Sequence, residues 1–260
     1  MLAIIGGSGA TQLSNLVISH RQVIRTPYGE PSGALTFGTL DEQPVVFLAR
    51  HGYGHTLAPH EINYRANLWA LQAQGVKRVI ALATVGGIRT DLVPGTLIIP
   101  DQIIDYTWGR KFTYFEGSDK PVVHVDFTHP YCDKLRQLCL DAAAQTGITV
   151  VNGGVYAATQ GPRLETAAEI NRLARDGADM VGMTAMPEAA LARELGLSYA
   201  AITLVANAAA GRGQSQEKID LQTVTHVMEH AMPQVRRLLG AIVALDHSGA
   251  GCPSNYSVSS

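Results

Sequence analysis

Short apolar runs alternate with helix-spaced stretches along most of this chain, and the order of the two kinds predicts its layers. Residues 2–5 form an apolar run that reads as a strand, and Gln43–Ala49 reads as another; both end in glycine-containing loops. Residues 63–74 carry Ala66, Leu68, Trp69 and Leu71 at helical spacing, and Gly75 closes them. A buried strand over 79–83 leads into the loop 84–89, and a further strand covers 96–100. The pattern then gives a helix over 135–144 stopped at Gly147, a strand over 149–156 and a helix over 166–175. A strand over 178–181 and a helix after Pro187, with Leu191 and Leu195 four apart, precede the strand 199–205. The last helix spans 221–245, with Pro233 predicting a kink or break. Such alternation predicts an α/β fold, one domain with a mixed, largely parallel twisted central sheet flanked by helices.

Two stretches fall outside the pattern. Residues 105–124 form a long irregular segment, and loops of that length in compact domains usually serve function or an interface. Residues 248–260 are rich in Ser and Gly and read as a disordered tail behind a domain of residues 1–247. No internal repeat interrupts the order.

Composition narrows the partners. The 260 residues carry a net charge of −2, with 46% hydrophobic and 16% charged residues and no Lys/Arg run. That balance argues against nucleic acid or an anionic membrane surface as the main partner. No apolar run approaches the ~20 residues needed to span a bilayer. The N-terminus enters a strand directly, without the charged start of a secretion signal, and Cys132, Cys139 and Cys252 make no CxxC. A reducing cytoplasm is the expected setting, with no disulfide framework and no zinc site.

Candidate chemistry gathers where strands end. Ile4-Ile-Gly-Gly-Ser-Gly9 resembles a dinucleotide fingerprint at first sight, but Gln12 stands where its third glycine belongs. A phosphate-sized anion held by Ser8 and backbone N–H groups suits it better, with a bare tight turn as the alternative. Ala49-Arg-His-Gly-Tyr-Gly-His55 puts Arg50, His51 and His55 in one loop. The paired glycines argue against a helical metal site, and no HExxH is present; arginine offers a rigid fork of donors for phosphate. Thr84 begins a third such loop. In Gly182-Met-Thr-Ala-Met-Pro-Glu188 a strand ends in Thr184 and opens a helix, which presents backbone donors to one point. In an open α/β sheet these ends converge, so an anion site is the better reading of the set.

These same motifs, with Gln160-Gly-Pro-Arg-Leu-Glu-Thr166, resemble the trimeric purine nucleoside phosphorylase and methylthioadenosine phosphorylase family. The resemblance runs from Leu2 to about Leu245. Thr26-Pro-Tyr-Gly-Glu-Pro-Ser32 and His60-Glu-Ile-Asn-Tyr-Arg-Ala-Asn-Leu-Trp-Ala70 are most similar to the methylthio branch. The resemblance implies phosphorolysis, with inorganic phosphate as co-substrate and no metal or organic cofactor. It also implies a homotrimer whose only other partner is the nucleoside. It places Ser8, Arg50, His51, the Thr84 backbone and Thr184 on phosphate, and Met183 and His55 around the ribose. Leu221, Val224 and Met228 are then expected at the 5′ group, with His124 from a neighbouring subunit. His226 is the nearest candidate partner for a 5′-hydroxyl.

Two positions bear on the base. Adenine-type members of that branch carry two aspartates after the strand that here ends at Val205; this chain has Asn207 and Ala209 instead. Adenine presents a donor at N6, whereas a 6-oxopurine presents an acceptor at O6. A carboxylate only accepts, but an asparagine can donate to O6 and accept from a protonated N7. Glu165 matches the position that accepts N1–H in the family's 6-oxopurine enzymes; an acid beside a helix start is also favoured by the helix dipole. Asn207, Thr184 and Ser8 are therefore the expected catalytic residues. The expected substrate is S-methyl-5′-thioinosine, with inosine and guanosine or methylthioadenosine as alternatives. A non-catalytic purine sensor is the rival from another class, and a nicotinamide-dependent oxidoreductase is the weakest.

Overall fold

The computed structural model describes residues 1–7, 13–118 and 121–247. Ser8, Cys252 and the expected tail of residues 248–260 lie outside the described residues. Among the described residues, eleven strands form one sheet: β1 Leu2–Gly6, β2 Val17–Gln22, β3 Leu35–Leu40, β4 Gln43–Ala49, β5 Arg78–Gly87, β6 Leu97–Ile99, β7 Gln102–Asp105, β8 Val150–Asn152, β9 Val155–Ala158, β10 Met180–Gly182 and β11 Ser198–Ala208. Five helices flank it: α1 Tyr64–Ala73, α2 Asp133–Thr146, α3 Ala167–Arg175, α4 Ala185–Glu194 and α5 Leu221–His247. The expected mixed, largely parallel sheet is present. Strand order runs β2-β3-β4-β1-β5-β10-β9-β7, with β11 on the other edge of β5.

The side-chain alternation of β1 shows how the layers form. Leu2 and Ile4 join one cluster with Phe47, Ile80, Leu138 and Leu239, beneath α2 and α5. Ala3 and Ile5 join the other with Leu48, Leu68, Leu71 and Leu191, beneath α1 and α4. A strand buried on both faces reads as a continuous apolar run, which is why β1, β4 and β5 were legible.

Helix ends follow local chemistry. Asn63 caps α1 by accepting from the Ala66 N–H at 3.1 Å. Gly147 ends α2 in the left-handed region, at φ 66°. Thr166 and Glu169 close a reciprocal capping box at the start of α3.

Three expectations need correction, and three strands lie outside the predicted set. The loop predicted over 84–89 is strand as far as Gly87, because β10 and β11 both pair Gly86 and Gly87. A Cβ on Gly87 would run into the Leu92 carbonyl, so those glycines admit close neighbours rather than a turn. The strand predicted over 149–156 is two strands, bent at Gly153 and Gly154 with φ of 90° and 128°; β8 joins β6 while β9 joins β7 and β10. Pro233 does not end α5, which continues from Leu221 to His247. Strands β2, β3 and β7 were not predicted. β2 is exposed at all six positions and so has no apolar alternation to read.

Candidate active site

The main cavity, about 640 Å³, opens where β5 changes neighbours. On one edge β5 pairs with β1 in parallel as far as Ala81, then with antiparallel β10 from Gly86. Between those points no strand of the described residues covers that edge. The Arg50 guanidinium reaches across the gap, its Nη1 donating to the Leu82 carbonyl at 2.8 Å. Alternate residues of a strand present their backbone groups to the same edge, so the Thr84 N–H faces this gap as well. Ligands in open α/β sheets sit at such switch points. Gly7, the residue after β1, makes room there: a Cβ would lie 2.6 Å from the Leu82 oxygen and 2.9 Å from Arg50 Nη1.

Arg50 is 1% exposed and its partner Glu188 is fully buried. Nε donates to Glu188 Oε2 at 2.6 Å and Nη2 to Oε1 at 2.8 Å, while the Tyr199 hydroxyl donates to Oε1 at 2.8 Å. Burial works against the guanidinium charge, but the Glu188 carboxylate outweighs it and holds Arg50 above its ordinary pKa. Desolvating two ions costs several kcal/mol each, and only bidentate geometry with further hydrogen bonds offsets that. One N–H on each Nη remains for a ligand.

His51 Nδ1 lies 2.8 Å from the Leu57 carbonyl. A carbonyl only accepts, so Nδ1 carries the proton. Burial, the Arg50 charge and neighbouring His55 push the imidazole down to about 4, so it is neutral at pH 7. With Arg50 balanced by Glu188, this part of the site has donors but little net charge.

The turn between β10 and α4 supplies Met183 and Thr184. Met186 has non-helical angles, φ −117° and ψ 139°, as the residue before a proline is forced towards, so the regular helix begins only after it. Thr184 is 7% exposed and forms no side-chain cap. Its donors therefore belong to a turn ahead of the helix, not to the helix N-terminus that the sequence pattern implied. Met183 packs on Gly161, where a Cβ would come within 2.5 Å of its sulfur. Arg110, 7% exposed, donates to the carbonyls of Met183 at 2.8 Å and Met186 at 2.6 Å.

Glu165 lies before the capping residue of α3, and Glu169 makes the favourable contact with that helix start. The dipole explanation thus belongs to Glu169. Glu165 Oε1 accepts from the Thr159 hydroxyl at 2.6 Å. Opposite, the register of β11 shifts between Val205 and Asn207, a bulge that re-aims the following side chain. Asn207 Nδ2 donates to the Ala208 carbonyl at 2.7 Å, which settles the amide orientation. Ala209 is 1% exposed and packs with Val181 and Ile88.

The cavity brings together Arg50, His51, His55, Thr84, Met183, Thr184, Glu165, Asn207, Ala209, Leu221 and Val224. It does not bring in Met228, which packs half-buried against the cluster beneath α5; Ile219 lines the wall in its place. His226 is exposed and outside the lining, and its ring lies 4.0 Å from that of His230. His124 is exposed and does not line the cavity within this chain. Sequence reasoning gave no role to Glu188 or Arg110. Glu188 stood inside a quoted motif, and Arg110 inside the irregular 105–124 segment. Among the described residues, no group of three or more His, Cys, Asp or Glu could hold a metal ion, and no helix is long and apolar enough to cross a membrane.

Residues 1–244 match the family model described as the Phosphorylase superfamily. A protein of Xanthomonas campestris pv. campestris, named a probable S-methyl-5′-thioinosine phosphorylase, is 53% identical over 93% of this chain and 96% of its own length. The 6-oxopurine nucleoside phosphorylase of Pyrococcus furiosus is 43% identical over 94% of this chain and 92% of its own. Among solved structures, methylthioadenosine phosphorylase from Schistosoma mansoni in complex with adenine superposes with a TM-score of 0.91. It is 33% identical, and the match covers 95% of this chain and 92% of that one.

Proposed function

This chain belongs to the phosphorylase superfamily, and we propose that it cleaves 6-oxopurine nucleosides with phosphate, S-methyl-5′-thioinosine foremost, releasing hypoxanthine and 5-methylthioribose 1-phosphate. The observation that carries this reading is the shared cavity. Its lining includes Arg50, His51, Thr84 and Thr184, Glu165 and Asn207, and the apolar Ile219, Leu221 and Val224, with Leu221 66% exposed at the rim.

In this reading phosphate binds between Arg50, His51, the Thr84 N–H and Thr184, with Ser8 as a further donor from outside the described residues. Phosphate oxygen bonds to C1′ as the C1′–N9 bond breaks, its electrons passing to the purine. The proton that arrives at N7 balances the one that phosphate gives up. The Arg50 charge is already matched by Glu188, so much of the phosphate charge is left to stabilise the cationic sugar in the transition state. Holding the nucleophile in place removes much of the entropic barrier. Met183 and His55 border the sugar. The second Nδ2 proton of Asn207 donates to O6, and its Oδ1 accepts from N7–H; the outer oxygen of Glu165 accepts from N1–H. Ala209, where adenine-type relatives carry an aspartate, offers O6 no repulsion.

The relatives' names support the 6-oxopurine preference. The apolar rim supports a methylthio group over a hydroxyl, which would need a polar partner. A cytoplasmic homotrimer acting in purine salvage, without a cofactor, completes the reading. The family resemblance supports it, and Trp108, Phe112 and Val122, 71%, 66% and 77% exposed within the irregular 105–124 segment, support self-association in particular. His124 of a neighbouring copy would then reach the 5′ group.

The test is base release from methylthioinosine, inosine, methylthioadenosine and adenosine, each with and without phosphate. The reading expects phosphate-dependent release, fastest from methylthioinosine. Release without phosphate, or preference for methylthioadenosine, contradicts it.

A further inference from the structure

Arg110 is a buried cation whose side-chain hydrogen bonds among the described residues reach no carboxylate. Nη1 donates to the carbonyls of Met183 and Met186, at 2.8 and 2.6 Å, and to the Tyr64 hydroxyl at 3.2 Å. Nη2 donates to the carbonyls of Gln160 at 2.8 Å and Thr159 at 3.3 Å, and Nε to the Gln160 side-chain oxygen at 3.2 Å. The two carbonyl pairs belong to different segments, which reach the cavity lining at Met183 and Thr184 in one case and at Pro162, Leu164 and Glu165 in the other. Met183 and Met186 bracket Thr184, on the phosphate side. Thr159 and Gln160 begin the loop that leads to Glu165, and the Thr159 hydroxyl itself holds Glu165 at 2.6 Å. A core has no need of an unmatched guanidinium, since desolvating it costs several kcal/mol. A rigid fork of five donors does suit the spanning of two segments at once, and a lysine cannot reproduce it.

We infer that Arg110 is a positioning residue that sets the phosphate-binding turn and the base-reading loop against each other, so that nucleophile placement and base selectivity depend on one side chain. The coupling has a direct route. Moving the turn shifts Thr184, moving the loop shifts Glu165, and the guanidinium plane fixes the spacing between them. Met183, in the turn, packs on Gly161 of the loop, so the two segments also meet at a side chain that lines the cavity.

The inference rests on the phosphorolysis reading, which fails separately, and first, if the parent enzyme releases no base with phosphate. Given an active parent, Arg110→Lys and Gln160→Leu are compared with it in the full chain. Phosphate and nucleoside are varied in turn, the kcat/KM ratio of 6-oxo to 6-amino substrates is measured, and unfolding midpoints are recorded. Arg110→Lys keeps the charge and removes the fork. It is expected to lower kcat about 100-fold, the scale of loss when reactants are misplaced by ~1 Å. It also raises the phosphate KM and moves the substrate ratio towards one, in protein that is still folded. Gln160→Leu, which leaves both Nη groups paired and removes the acceptor shared by Nε and the Trp108 N–H, shifts the phosphate KM and the ratio together by a smaller factor. A shift in only one of those quantities, or in neither, overturns the inference. If Arg110→Lys does not fold, Gln160→Leu decides by the same criterion.

Discussion

At the open edge of β5, Arg50 and Glu188 lock each other in a bidentate pair that Tyr199 completes, all fully buried or nearly so. Glu165 and Asn207, which line the same cavity, each make one side-chain hydrogen bond among the described residues, to Thr159 and to Ala208. The first arrangement leaves no room for variation: moving one member strands a buried charge. The second leaves an oxygen and an N–H to be matched by whatever base is bound. In the proposed reading, reaction class resides in the over-determined half and substrate choice in the sparsely held half. Substitutions in the two halves should then differ in kind, costing stability and all activity in one and redirecting activity in the other.

The largest expected effect is on Glu188. Glu188→Leu leaves Arg50 buried without its counter-charge and should lower unfolding free energy by about 3–5 kcal/mol. Urea denaturation checks this, and a loss below about 1 kcal/mol would erase the contrast between the two halves. His51 comes next. Its folded pKa, about 4, lies below the ordinary value of 6.5, because of burial and the facing Arg50 and His55. Stability from this group is therefore complete above pH 6.5 and declines as pH falls towards 4, by up to about 3 kcal/mol. A pH series of urea midpoints should show that decline, and His51→Gln should flatten it.

The unequal legibility of the two halves has the same physical origin. Apolar runs such as β1 and β4 announce themselves because burial on both faces leaves no polar positions, and the capped helices α1 to α3 follow from local chemistry. The donors at strand ends were also readable, since Arg50, His51 and Thr184 sit in motifs adjoining apolar runs. Glu188 lies 138 residues from Arg50, and no local pattern reports a pairing over that distance. Arg110 sits in a segment with no period at all. β5 was cut short because glycine usually marks a turn, whereas Gly86 and Gly87 admit neighbouring chain and side chains. Asn207 was legible as a residue type, but the bulge that aims it depends on β11 pairing with β5.

Smaller effects test the sparse half. Glu165→Gln keeps an acceptor and adds a donor, so 6-oxopurine turnover should fall by about tenfold with unfolding unchanged within ~0.5 kcal/mol. A stability loss comparable to that of Glu188→Leu would show that Glu165 is structural. At the rim, Val224→Ser should reduce the preference for methylthioinosine over inosine by a few-fold, because it adds a hydroxyl to an apolar wall. Side-by-side kcat/KM values read this directly.

The base-reading claim is tested most directly at Asn207. A carboxylate there can neither donate to O6 nor keep the hydrogen bond to the Ala208 carbonyl. The measurement is the kcat/KM ratio of methylthioinosine to methylthioadenosine, in Asn207→Asp against the parent chain. The account predicts a parent ratio well above one that falls by at least about tenfold in the variant. A parent ratio below one, or a ratio left unchanged by Asn207→Asp, would contradict it.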